Sequence, residues 1–214
     1  MRRPPWLPAL VTAGALLATG CAFSAARHDP TTFFTLAPVT PDGDVAAGSW
    51  DVAVGVGPVG LPGYLDRPQL VRRVGANELR LAPVARWAEP LREGIPRALQ
   101  QDLAAMSGAR YVALYPWSSI ARLDLAVAVD VLRFEPNAEN EVELAARWSV
   151  RETVRGHVLT TRESRVVEPV EGKGNGAEVA ALSRALGKLA TEIAAALHET
   201  RSSATPAPGA GSRR

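Results

Sequence analysis

The residue best placed for covalent chemistry is Cys21, the sole cysteine among 214 residues. It follows Leu17-Ala18-Thr19-Gly20, so small residues stand directly before the thiol. Upstream lie Arg2 and Arg3, then an apolar run over residues 7–19. A positive start, a short apolar stretch and small residues at the cut form the layout of a secretory signal peptide. A cysteine at the cut makes it the bacterial lipoprotein form. A diacylglyceryl group goes onto the Cys21 sulfur, the Gly20–Cys21 bond is cleaved, and the new amine is acylated. Ala18 stands where leucine is common in such a box, with Leu17 one place earlier. An ordinary cleaved signal with an incidental thiol, or an uncleaved anchor, remains open from these residues alone. The apolar run is shorter than the ~20 residues that cross a hydrocarbon core. Pro4, Pro5 and Pro8 also interrupt it as a helix. Two or three acyl chains, at about 0.8 kcal/mol per buried CH₂, hold a domain on a membrane where one does not.

Other chemistry is missing from the pattern. There is no Gly-x-Ser-x-Gly, no His-Glu-x-x-His and no phosphate loop. His28, His157 and His198 fall in a tether, a turn and a helix end, with no carboxylate spaced to orient them. Asp124 and Asp130 share a strand face but lie too far apart for an acid–base pair. Gly172-Lys173-Gly174-Asn175-Gly176 precedes a helix and reads as a flexible connection more readily than as an anion cradle. The expectation is a non-enzyme with no catalytic residues, no metal and no cofactor beyond the covalent lipid on Cys21.

Composition bounds the class. The chain carries 24 basic and 22 acidic residues. Two of the arginines precede Cys21, so the processed chain is charge-balanced. The sequence pI of about 9.0 is therefore no sign of nucleic-acid binding, and no basic cluster with interleaved aromatics exists. Hydrophobic content of 47% fits one globular domain with its own core, held without disulfides.

The elements that must position any site follow from periodicity. Strands are expected over Phe33–Leu36, Asp51–Pro58, Tyr111–Leu114, Leu123–Phe134, Glu141–Arg151 and Val158–Val167, the last near a sheet edge. Gly55 and Gly57, opposite the Val52-Val54-Val56 face, imply a close approach by other backbone. Gln69–Val74 and Glu78–Leu81 read as a hairpin. Helices are expected over residues 87–106, with a kink or late start caused by Pro96, and over residues 177–199. The resulting fold class is α/β (α+β): a mostly antiparallel sheet with two helices packed on one face, in a single domain. Residues 1–20 form the signal peptide, 21–31 the lipidated tether, 32–200 the domain and 201–214 a disordered tail.

One loop breaks the usual rule that loops are polar. Gly60-Leu61-Pro62-Gly63-Tyr64-Leu65-Asp66-Arg67-Pro68 cannot be regular structure, yet it carries Leu61, Tyr64 and Leu65. Apolar side chains on a loop need a partner surface. Trp87, Tyr115 and Trp117 also fall at element ends, where aromatics serve either as binding anchors or as plugs.

Several segments together resemble one family. They are Phe33-Phe34-Thr35-Leu36, the block Val54 to Val71 with its Leu61-Pro62-Gly63-Tyr64-Leu65-Asp66-Arg67-Pro68-Gln69 centre, Arg86-Trp87-Ala88-Glu89-Pro90-Leu91, Tyr115-Pro116-Trp117, and Val129-Asp130-Val131 leading to Arg133-Phe134-Glu135. The chain resembles the ABC-type transport auxiliary lipoproteins, the PqiC-like group associated with MCE systems. That resemblance implies a non-catalytic accessory subunit that docks on an MCE-domain protein and supports phospholipid transfer. It also implies a homo-oligomer and an outer-membrane lipid anchor facing the periplasm. Ala22, not aspartate, follows the cysteine, in agreement with outer-membrane sorting. Leu61, Pro62, Tyr64, Leu65, Asp66 and Arg67, with Trp87 beside them, are the expected partner-binding residues. The alternative for the loop is a cap on its own core. The alternative for the protein is a stand-alone periplasmic lipoprotein binding a lipid or other amphiphile in its own cavity.

Overall fold

The computed structural model describes residues 29–39, 50–117 and 122–204. Gly20 and Cys21, with the expected signal peptide and most of the expected tether, lie outside the described residues, as does the expected tail from residue 205.

Among the described residues, eight strands and two helices follow in the order β1 (Thr32–Phe34), β2 (Trp50–Gly60), β3 (Gln69–Gly75), β4 (Glu78–Trp87), α1 (Leu91–Met106), β5 (Ala109–Leu114), β6 (Leu125–Pro136), β7 (Glu141–Glu152), β8 (Val158–Pro169) and α2 (Asn175–Ala204). The α+β reading holds, with a refinement: the strands divide into two mixed sheets. One has the order β5-β2-β6-β7-β8, the other β1-β4-β3. The longest ladders, β6 with β7 and β7 with β8, are antiparallel. β2 lies between β5 and β6 and runs parallel to both. Parallel neighbours need a long crossover, and the stretch containing β3, β4 and α1 supplies the one from β2 to β5.

The helices cover the larger sheet. α1 lies against β2 and β5, while α2 lies against β6, β7 and β8, and the two helices touch. α2 buries Val179, Leu182, Leu186, Leu189, Ile193 and Leu197, a stripe at helical spacing. Val142, Leu144, Ala146, Trp148 and Val150 of β7 face it, all buried. Trp148 donates its indole N–H to Ser164 Oγ at 2.8 Å. β8 is the sheet edge, as its polar middle foretold.

Three expectations are refined. First, of the starts that the prolines left open, the helix takes the late one, at Leu91 and not at residue 87. Trp87 instead closes β4, with its N–H donating to Pro68 O at 2.7 Å. Pro90 makes Glu89 non-helical, so the helix starts after it, and Pro96 is carried inside. Second, α2 continues through Ala204, into the segment read as tail. Third, what crosses the glycine face of β2 is side chains, not backbone alone. A Cβ on Gly55 would meet Leu123 Cδ1 at 2.7 Å and Trp117 Cζ3 at 2.9 Å, and one on Gly57 would meet Tyr115 Cβ at 2.5 Å. The φ of Gly57, +121°, further excludes other residues there.

Candidate functional site

Residues 61–68 connect β2 to β3. Pro62 and Gly63 prevent strand continuation. Two tight turns follow: Leu65 N–H donates to Pro62 O at 3.0 Å, and Arg67 N–H donates to Leu65 O at 2.9 Å. The turns point Leu65 inward, where it is 1% exposed, while Trp87 is 7% exposed. These two expected contact residues are therefore packed in the core. Leu61, Pro62, Tyr64, Asp66 and Arg67 are half-buried.

A buried carboxylate pins the loop. Glu135 at the end of β6 is 1% exposed. Its Oε2 accepts the Tyr64 hydroxyl at 2.8 Å and the Phe134 N–H at 2.9 Å, while its Oε1 accepts Arg73 Nε–H at 2.8 Å. The Arg73 guanidinium also lies 5.8 Å from the centre of the Tyr64 ring, within cation–π range. Burial, followed by the bond to Glu135, pushes the Tyr64 phenol up to about 12. The hydroxyl thus stays a donor at any physiological pH. The Glu135 bond in turn raises the Arg73 pKa. A buried acid with three donors is stable where a lone one would not be.

The sequence reading missed Glu135 and Arg73. Glu135 stood just beyond the expected strand, which ended at Phe134, because its burial depends on a bulge at Leu132. Val131 pairs with Ala146 and Arg133 with Ala145, so one extra residue sits in β6. The bulge shifts the phase and turns Phe134 into the core beside Glu135.

Asp66 makes a second tie. Both its oxygens meet Arg92 in the first turn of α1, one of them at 3.0 Å from Nε. Arg67 forms no ion pair among the described residues. Two depressions flank Asp66. One, of about 400 Å³, includes Val56, Val59, Leu61, Pro96 and Tyr115 in its wall. The other, of about 210 Å³, includes Arg67, Pro68, Trp87 and Pro90. Tyr115 is 52% exposed beside the first. Trp117 packs edge-on against it, centroids 5.1 Å apart, and plugs the glycine face of β2.

The loop carries no cysteine, histidine or serine, and among the described residues no group of three or more His, Cys, Asp or Glu converges on a metal position. Apolar wall, fixed backbone and charged rim suit recognition of another molecule.

The model of the family described as ABC-type transport auxiliary lipoprotein component matches residues 34–194. The chain belongs to that family. The auxiliary lipoprotein is similar in fold to protein XCC0632 from Xanthomonas campestris, a DUF330 protein. That match has 22% identity and a TM-score of 0.66, over 81% of this chain and 99% of the other. A crystal structure of an uncharacterized protein matches at 19% identity and TM-score 0.65, over 78% of this chain and 98% of that one. At such identities these neighbours show the fold alone. No curated protein matches the auxiliary lipoprotein.

Proposed function

We propose that this auxiliary lipoprotein is a non-catalytic subunit of an MCE/ABC-type lipid transport system. It docks on the MCE component and supports phospholipid transfer. In this reading it is anchored by acylated Cys21 in the outer membrane, faces the periplasm and assembles as a homo-oligomer. The observation that carries the reading is the loop 61–67. Its half-exposed residues are held rigid by Leu65 in the core and by Tyr64 on Glu135. A contact surface ordered before binding loses little conformational entropy when it binds.

The test is a pull-down of the acylated protein from detergent-solubilised envelopes. Truncating Tyr64 would unpin the loop, so the discriminating variant is Gly63→Trp. An added Cβ at Gly63 meets nothing within 4 Å, so the bulk projects outward and leaves the fold intact. An MCE-domain protein is expected with the wild type, reduced roughly tenfold or more in the variant by steric exclusion. Absence of any MCE-domain protein with the wild type sinks the reading. Lipid recovered without a protein partner would replace it with a carrier.

A further inference from the structure

Among the described residues four strands end the two sheets: β1 and β3 in the smaller, β5 and β8 in the larger. β1 has three residues and β3 packs against β6. On β5, Gln100 of α1 takes the Val112 carbonyl at 2.9 Å. β8 stands apart, with twelve residues and no strand beyond it among those described. Register tells which of its groups are open. Val170 N–H donates to Asn140 O at 3.0 Å, and that pair continues the β7–β8 ladder of Glu141 with Pro169 and Val142 with Glu168. Bonded pairs alternate along an antiparallel ladder, so the even-numbered residues from Thr160 to Glu168 bond β7. Thr161, Glu163, Arg165 and Val167 turn N–H and C=O to the open edge. Their side chains lie on the sheet face away from α2, since Ser164 and Glu168 meet Glu192 and Arg184 of that helix. Such an edge is a template for another strand unless a proline, a bulge or like charges blunt it. In β8 the proline, Pro169, and the register shift, at Leu159, lie towards its two ends, and Glu163 and Arg165 differ in sign.

We propose that β8 pairs antiparallel with β8 of a second copy, about a two-fold axis at Ser164, so that the larger sheet runs on through the dimer. Three neighbouring registers bring the open groups face to face. Centring on Glu163 sets that acid against itself, and centring on Arg165 does the same to the arginine. Centring on Ser164 sets each Glu163 opposite Arg165 of the other copy, twice by symmetry. Opposite charges directly across a ladder stabilise it and like charges do the reverse, so charge selects this register. Both side chains are loosely held within their own copy. Glu163 has Arg147 at 3.5 Å, and Arg165 shares Glu143, at 3.0 Å, with Arg133 at 2.8 Å. The same register covers Val167, 46% exposed, with Thr161 of the second copy. Each facing pair of open-edge residues exchanges two backbone bonds. This inference rests on the homo-oligomer reading above and names the surface and register that would build it.

The experiment is cysteine pairing in cells with the full chain, Cys21 included. Glu163→Cys and Arg165→Cys copies with different tags are expressed singly and together. Residues opposed in a bonded pair have Cα atoms about 5.5 Å apart, within disulfide reach. In the proposed register like positions are displaced by two residues and lie roughly 9 Å apart, beyond that reach. Expected is a linked dimer of the mixed pair, with each variant alone and the wild type linked at least tenfold less. A stronger link in Glu163→Cys alone or Arg165→Cys alone overturns the register, and no link overturns the interface. Charge exchange gives the second readout, by sedimentation of the acylated chain in detergent. Glu163→Arg and Arg165→Glu should each weaken the dimer roughly tenfold or more, and the two together should restore it. Restoration excludes unfolding as the cause; dimers indifferent to both exchanges overturn the pairing. If the wild type sediments as a monomer, this interface and the homo-oligomer reading fall together. If it is oligomeric while β8 neither links nor responds to exchange, the interface fails and the homo-oligomer reading stands.

Discussion

Asp102 is the residue least at ease in this fold. It sits in α1 with no exposure at all. Its Oδ1 accepts the Val39 N–H at 2.7 Å, and its Oδ2 has no partner among the described residues. Burial pushes its pKa up to about 6, against the pull of that single N–H. An unfolded aspartate titrates near 3.9 (about that value in peptides). Above pH ~6 the folded chain therefore holds a buried carboxylate that the unfolded chain would solvate freely. Below pH ~4 both states are protonated and the penalty is gone. Stability from this group rises on acidification, the reverse of an aspartate held in a salt bridge. Asp102→Asn removes the charge and keeps the acceptor. In urea unfolding, its stability relative to wild type should fall by about 2 kcal/mol between pH 7.5 and pH 4.5. A difference constant with pH would refute the raised pKa. Nothing in the sequence marked this residue. Leu99 and Leu103 announce the buried stripe, but an acid between them reads as solvent-facing. Tyr64 and Arg67 were legible because apolar and charged residues crowd a Pro/Gly loop; their separate roles were not. Tyr64 turns to Glu135, whose place in the core depends on the bulge in β6.

At the scale of elements, the segment after β1 crosses between the helices. Ala37 N–H donates to Ser183 Oγ at 3.2 Å on α2, and Val39 N–H reaches Asp102 on α1. Leu36, just before these ties, is buried. Val39 needs room, and Gly187 provides it, since a Cβ there would lie 2.6 Å from Val39 Cγ2. A glycine inside a helix ordinarily costs about 1 kcal/mol against alanine. Here Gly187→Ala should instead destabilise by about 1–3 kcal/mol, the usual range for overpacking. Adding Val39→Ala should reverse most of that loss. Urea unfolding of the four chains gives the coupling; a stabilised Gly187→Ala would show that Val39 does not fill the notch. The strands and helices themselves were largely readable, because alternation in β7 and the leucine stripe of α2 admit one assignment each. Pairing was not. The parallel placement of β2 between β5 and β6, and the split into two sheets, depend on contacts far apart in sequence that local periodicity does not encode. Trp87 and Ala88 extend the apolar stripe of α1 backward, but backbone bonds to Pro68 and Phe34 hold them outside the helix, which takes the late start that its prolines allow.

At the scale of the molecule, the domain from Thr31 onward is one compact unit. Anchoring and folding should therefore separate cleanly. In the reading proposed above, the thiol of Cys21 receives lipid before the Gly20–Cys21 bond is cut, because the lipoprotein peptidase acts on the acylated chain. Each buried methylene contributes roughly 0.8 kcal/mol, so two or three chains keep the domain at the membrane while the fold itself gains nothing. Metabolic labelling with an alkyne palmitate should mark the wild type at the size of the processed chain. Cys21→Ser should carry no label and run larger by residues 1–20, and its domain should unfold at the same urea concentration as the wild type. A Cys21→Ser chain that is unlabelled yet still processed would mean an ordinary secretory signal with an incidental thiol. In that case nothing covalent holds the protein to the membrane, and washing the envelopes in high salt would release it where acyl chains would not.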